Sequence, residues 1–177
     1  MSDLRPATPD DLDAIMAIER VAFASDAWSE RLMADELASP HNHYVVVERA
    51  GRIEGYAGLR APAGSKDADI QTIALTASAR GRGTGRAIFE ALLEQASLRG
   101  VRNVFLDVRD DNTVAQSLYA SEGFREIGRR TKYYAADGVD AIVMQLDLVA
   151  WAAARAVDPA DGGGVHMTDS GVAHEHR

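Results

Sequence analysis

A chain of 177 residues that is 46% hydrophobic and 26% charged fits one soluble globular domain, and excludes fibrous, collagen-like and largely disordered chains. It has no cysteine, which removes disulfides, thiolate metal sites and any covalent acyl-Cys mechanism. The formal net charge of -8 argues against broad nucleic-acid binding and is compatible with a cationic substrate, although an acidic solubilising surface would read the same way.

Thr8-Pro9-Asp10-Asp11 predicts a helix start: a hydroxyl N-cap, proline at the first helical position, and carboxylates at the positive end of the dipole. Leu12, Ile15, Ile18 and Ala22 then recur on one helical face. A second helix starts at Ser29, carries Leu32, Met33 and Leu37, and closes before Pro40. From His43 the residues become β-branched and alternating. Tyr44 to Glu48, a turn at Ala50-Gly51, and Arg52 to Arg60 predict an antiparallel hairpin. The apolar run at Tyr44-Val45-Val46-Val47 is too short to cross a bilayer, and the N-terminus lacks the layout of a signal peptide, so the expected location is the cytoplasm, without a membrane partner.

Asp69 to Leu75 predicts a strand that feeds into Arg80-Gly81-Arg82-Gly83-Thr84-Gly85-Arg86 and then into a helix with Ile88, Leu92 and Ala96 on one face. Glycines between a strand and a helix let main-chain N–H groups converge where the helix dipole is positive, which suits a pyrophosphate; three arginines add charge. No Lys-Ser/Thr follows the glycines as a P-loop needs, and the third glycine of a dinucleotide fingerprint is missing.

Val101 to Val108 predicts a strand, Asn112 to Ser121 a short helix stopped by Gly123, and Phe124 to Tyr134 with Val139 to Leu148 a closing hairpin across Asp137-Gly138. The expected fold is a mixed α/β domain over residues 1–150, with about seven strands and about four helices. Residues 151–177, Ala-rich and then Gly-rich, read as a flexible tail. His166, His174 and His176 lie in that tail without carboxylate or thiolate partners at fixed spacing, so no metal is expected.

Arg80, Gly83 and Gly85 form an R-x-x-G-x-G pattern that resembles the coenzyme A pyrophosphate loop of the GNAT superfamily of N-acetyltransferases. Gln71 to Leu75 resembles the family's splayed strand, and Phe105 to Asn112 followed by Ser117 to Phe124 resembles its closing strand, helix and strand. Trp28-Ser29-Glu30, Leu118-Tyr119-x-Ser121-x-Gly123-Phe124 and Tyr133-Tyr134-x-x-Asp137-Gly138-x-Asp140-Ala141-Ile142-Val143-Met144 are most similar to the RimI type, the ribosomal-protein-alanine N-acetyltransferases. The resemblance covers roughly residues 3 to 148.

It implies a mostly antiparallel twisted sheet flanked by helices, acetyl-CoA as co-substrate, and a protein N-terminus as acceptor. Residue by residue, it implies that Ile73, Ala74 and Leu75 contact the acetyl arm, that Arg80, Gly81, Arg82, Gly83, Thr84, Gly85 and Arg86 surround the pyrophosphate, and that Asn112 meets the pantetheine. Asp107 takes the position of the general base, where the family usually has glutamate, and Tyr119 that of the general acid. Trp28, Tyr133 and Tyr134 would border the acceptor groove, with Glu30, Asp137 and Asp140 available to a basic peptide. Aspartate reaches one methylene less than glutamate, which points to a water relay. Transfer to a lysine or small amine, or a regulatory module that only binds coenzyme A, are the alternatives.

Overall fold

The computed structural model describes residues 3–157 and 173–174. Among the described residues eight strands form one sheet: β1 (Asp3–Pro6), β2 (Asn42–Arg49), β3 (Arg52–Arg60), β4 (Asp67–Leu75), β5 (Asn103–Arg109), β6 (Arg125–Tyr134), β7 (Val139–Asp147) and β8 (Ala173–His174). Their order is β1-β2-β3-β4-β5-β7-β6, with β8 on β4, and every pairing is antiparallel except β4 with β5. The helices are α1 (Leu12–Ala22), α2 (Glu30–Ala38), α3 (Thr84–Leu98), α4 (Thr113–Glu122) and α5 (Leu148–Val157). Among the described residues no helix is long and apolar enough to cross a membrane.

Strand alternation sends side chains into two cores, one on each face. Val45, Val47, Ala57 and Leu59 join Ile88, Phe89, Leu92 and Leu93 of α3, while Tyr44, Val46 and Tyr56 join Ile15, Met16 and Ile18 of α1. On β4 the parity changes within the strand: Ala68 and Ile70 enter the α3 core, and so does Ile73. The cause is a bulge, since β3 pairs Gly58 with Thr72 but Leu59 with Ile70, leaving Gln71 as an extra residue on β4.

Three elements differ from the sequence expectation; one is β8 (Ala173–His174), a strand on β4 inside the expected tail, which makes eight strands among the described residues where about seven were expected. β1, four residues without apolar alternation, is a strand because β2 offers it an edge, with Asp3 to Pro6 opposite Glu48 to Val45. The expected tail is helical over its first seven residues: α5 extends to Val157, with Trp151 buried at 8% exposure and its Nε1–H donating to Glu122 at 2.9 Å. Helices therefore number five among the described residues where about four were expected. His166 and His176 lie outside the described residues, and among those described no group of three or more His, Asp or Glu side chains could hold a metal.

Candidate active site

β4 and β5 are paired only where Asp67 to Asp69 meet Asn103 to Phe105. Beyond that point the bulge at Gln71 turns β4, while β5 stays with β7 along its whole length, from Asn103 opposite Asp147 to Arg109 opposite Ala141. The two parallel strands thus open a wedge toward their C-terminal ends. β4 leaves it into the glycine turn and β5 into α4. Within the wedge β8 pairs with Thr72 and Ile73.

In the turn, Gly81 (φ 74°) and Gly83 (φ 76°) are left-handed, and a Cβ added to either would meet nothing within 4 Å. Glycine is needed there for backbone conformation, and the space around the turn is open. α3 begins without a side-chain cap. In contrast, Ser29 and Asn112 cap α2 and α4 by accepting from the Leu32 and Ala115 N–H groups, each at 3.1 Å. Helix geometry points the first-turn amides of α3 toward the turn, the arrangement of an anion cradle. Thr84 and Gly85 are buried beneath it.

The three arginines separate. Arg82 is exposed on the turn. Arg80 folds back, its Nη2 3.4 Å from the Leu75 carbonyl. Arg86 turns to α4, pairing with Glu122 at 2.5 Å and donating to Ser121 Oγ at 2.8 Å.

Asp107 lies between Leu106 and Val108, which both enter the α3 core, so alternation points it to the opposite face. It is 1% exposed, and Arg130 Nε of β6 lies 3.4 Å from its Oδ1. The neighbouring carboxylates are engaged elsewhere: Asp110 with Arg129 at 3.1 Å, and Asp111 with Arg109 at 3.0 Å. Tyr119 is also 1% exposed, but in the α3 core, with its ring 4.9 Å from Phe89 and 6.0 Å from Phe124. The two candidate proton-transfer groups therefore lie on opposite faces of the sheet. Asn112, expected along the pantetheine, stands at the start of α4 as its cap.

On the Asp107 face a cavity of about 210 Å³ is lined by Ser25, Asp26, Arg109, Tyr133, Tyr134 and Asp137, among others. The two tyrosine rings meet edge to face at 5.3 Å; Arg109 lies 5.0 Å above Tyr134 and Arg130 5.7 Å above Tyr133. Pairing with Asp111 and Asp137 holds the Arg109 guanidinium well above its ordinary pKa, so it is a fixed charge. A register shift between Arg130 and Tyr134 shapes this wall, with Lys132 at φ 49° and its N–H on Asp140 Oδ1 at 2.8 Å. Asp137 and Asp140 thus brace the hairpin. Trp28 is 7% exposed in the α1 core and does not line the cavity; its neighbours Ser25 and Asp26 do. Sequence reasoning missed those two residues and Arg130, whose nearness to Asp107 arises only from the placement of β7 between β5 and β6.

A model of the acetyltransferase (GNAT) family matches residues 12–124. The N-alpha-acetyltransferase RimI of Mycobacterium tuberculosis is 41% identical over 126 residues, 69% of this chain and 77% of that protein. The [ribosomal protein bS18]-alanine N-acetyltransferase of Escherichia coli K12 is 33% identical over 140 residues, 78% of this chain and 92% of that protein. The crystal structure of the Escherichia coli enzyme superposes with a TM-score of 0.76 and 28% identity, covering 93% of this chain and 99% of that one.

Proposed function

The chain belongs to the acetyltransferase (GNAT) family, and we propose that it transfers acetyl from acetyl-CoA to the N-terminal α-amino group of a protein, the N-terminal alanine of a small-subunit ribosomal protein. The observation that supports this reading is the wedge between β4 and β5: β4 leaves it into the glycine turn, while β5 carries Asp107 and ends at Arg109, which lines the tyrosine cavity. The Escherichia coli relative, a [ribosomal protein bS18]-alanine N-acetyltransferase, supports the same acceptor. The site works in the cytoplasm, where ribosomal proteins are made.

Acetyl-CoA supplies a thioester-activated acetyl group. Gly81 to Arg86 hold the pyrophosphate through main-chain N–H groups and the positive end of α3, with Arg82 as the exposed cation at the turn. Ile73, Ala74 and Leu75 offer main-chain groups to the acetyl arm, and an N–H near Leu75 polarises its carbonyl oxygen. Asp107 receives the amine proton through a water, and the Tyr119 hydroxyl returns one to the departing sulfur. A phenol with a pKa of about 10 keeps its proton until that step. An α-amino group, with a pKa of about 7.7–8.0, is neutral far more often at pH 7 than a lysine at about 10.4, so an aspartate is base enough.

The test is release of free thiol from acetyl-CoA with a panel of alanine-first peptides, lysine peptides and polyamines. Alanine-first peptides give the highest kcat/KM; a preference for polyamines or lysine refutes the acceptor, and tight donor binding without turnover marks a regulatory module. Asp107→Asn and Tyr119→Phe each lower kcat by about 10²–10⁴-fold while leaving acetyl-CoA affinity intact. Unchanged rates remove the two assignments.

A further inference from the structure

We infer that Glu19 is a positioning residue for acceptor binding, an inference that rests on the acetyl-transfer reading above. Glu19 follows Ile15 by one turn of α1 and so points inward with Ile15 and Ile18; it is 0% exposed. A carboxylate persists in such a place only where donors hold it. The Trp28 N–H donates to Oε1 at 2.9 Å, and the Tyr56 hydroxyl donates to Oε2.

Those donors belong to the two sides of the site. Trp28 lies in the connection from α1 to α2, in which Ser25 and Asp26 line the tyrosine cavity. Tyr56 stands on β3 directly opposite Ala74, in the stretch of β4 assigned to the acetyl arm. One buried carboxylate therefore sets the acceptor wall against the strand pair that carries the donor. It touches neither substrate and acts through the Trp28 connection.

Steady-state kinetics of the full chain with acetyl-CoA and an alanine-first peptide test this. Glu19→Ala raises the peptide KM by about tenfold or more and leaves the acetyl-CoA KM within about twofold. Glu19→Gln stays close to wild type, because its amide oxygen still accepts from Trp28 and its NH₂ can donate to Tyr56. Equal rises in both KM values, or a Gln variant as impaired as the Ala variant, overturn the inference. Hydrogen exchange at the Trp28 amide reads the tie without turnover: it accelerates in Glu19→Ala, and unchanged protection overturns the inference even if the alanine-first acceptor proves wrong. Should Glu19→Ala not fold, Tyr56→Phe removes one donor and raises the peptide KM selectively; an unselective effect is again a refutation.

A separate observation carries a second inference, which rests on the donor site alone: we infer that β8 competes with the acetyl arm for the edge of β4. β8 pairs with Thr72 and Ile73, on the part of β4 that has left β5 and at the start of the segment assigned to the arm. One row of main-chain donors and acceptors serves one partner at a time. Calorimetric titration of acetyl-CoA into the full chain and into the Ala173→Pro, His174→Pro double variant decides it, since proline removes both N–H groups from β8. The double variant binds about threefold tighter or better. Equal affinities overturn the competition, and absence of binding to either protein overturns the donor site with it.

Discussion

Arg86 occupies a position where sequence pattern and geometry assign different work. It ends the glycine and arginine pattern and stands in the first turn of α3, yet its guanidinium is held by Glu122, whose side chain is 6% exposed and also accepts from Trp151. Removing Arg86 leaves that carboxylate without its cation, which costs more than the loss of an exposed pair. Arg86→Ala is expected to destabilise the fold by about 1–2 kcal/mol, discounting for the partly exposed arginine, with a small effect on acetyl-CoA affinity. Arg82→Ala is expected to do the reverse, weakening acetyl-CoA while leaving the melting temperature near wild type. Thermal unfolding and calorimetric titration of both variants separate the roles. Asp107 shows the same dependence on surroundings: it meets Arg130 across β7, so its environment is set by a residue on another strand, not by Asp110 or Asp111 beside it in the chain.

At the scale of elements, the first strand is tied to the first helix by charge. Arg5 on β1 donates from Nη1 and Nη2 to the two oxygens of Asp11, each at 2.9 Å, and Asp11 also accepts from the Thr8 N–H at 2.8 Å. The hydrogen bonds from Arg5 hold the Asp11 carboxyl below its ordinary pKa against the opposing effect of burial. Because the folded pKa lies below the unfolded value of about 3.9, the contribution is whole above that pH and is lost as pH falls through the folded value. The melting temperature of the wild type should exceed that of Asp11→Asn at pH 6, and the gap should close as pH falls below about 4. A gap that persists at low pH would mean that the carboxylate charge is not what joins these elements. The helix start here was legible because Thr8-Pro9-Asp10-Asp11 is local chemistry, and so were the glycine turn and the closing hairpin. β1 was not, since only the edge of β2 makes those four residues a strand, and Gln71 carries no local sign of the bulge that opens the site.

Across the whole molecule, the wedge divides the sheet into β1 to β4 and β5-β7-β6, so its apex must carry the junction. Asn103 is the residue placed to do so. Its Nδ2 donates to Asp67 Oδ1 on β4 at 3.1 Å, its Oδ1 accepts from Gln145 on β7 at 3.2 Å, and its N–H donates to the Lys66 carbonyl at 3.1 Å. One amide side chain thus bonds the strands on both sides of its own. The α3 core runs beneath both halves, from Val45 on β2 to Leu146 on β7, and would hold them together if the apex loosened. Loss of the side chain should therefore weaken the junction without dismantling the fold. Asn103→Ala is expected to lower stability by about 1–2 kcal/mol in urea unfolding, the sum of one exposed and one half-buried hydrogen bond. If the apex also sets the opening of the wedge, the same variant loses acetyl-CoA affinity although Asn103 lies at the far end from the glycine turn. Stability lost with affinity unchanged would place control of the opening in the Gln71 bulge instead.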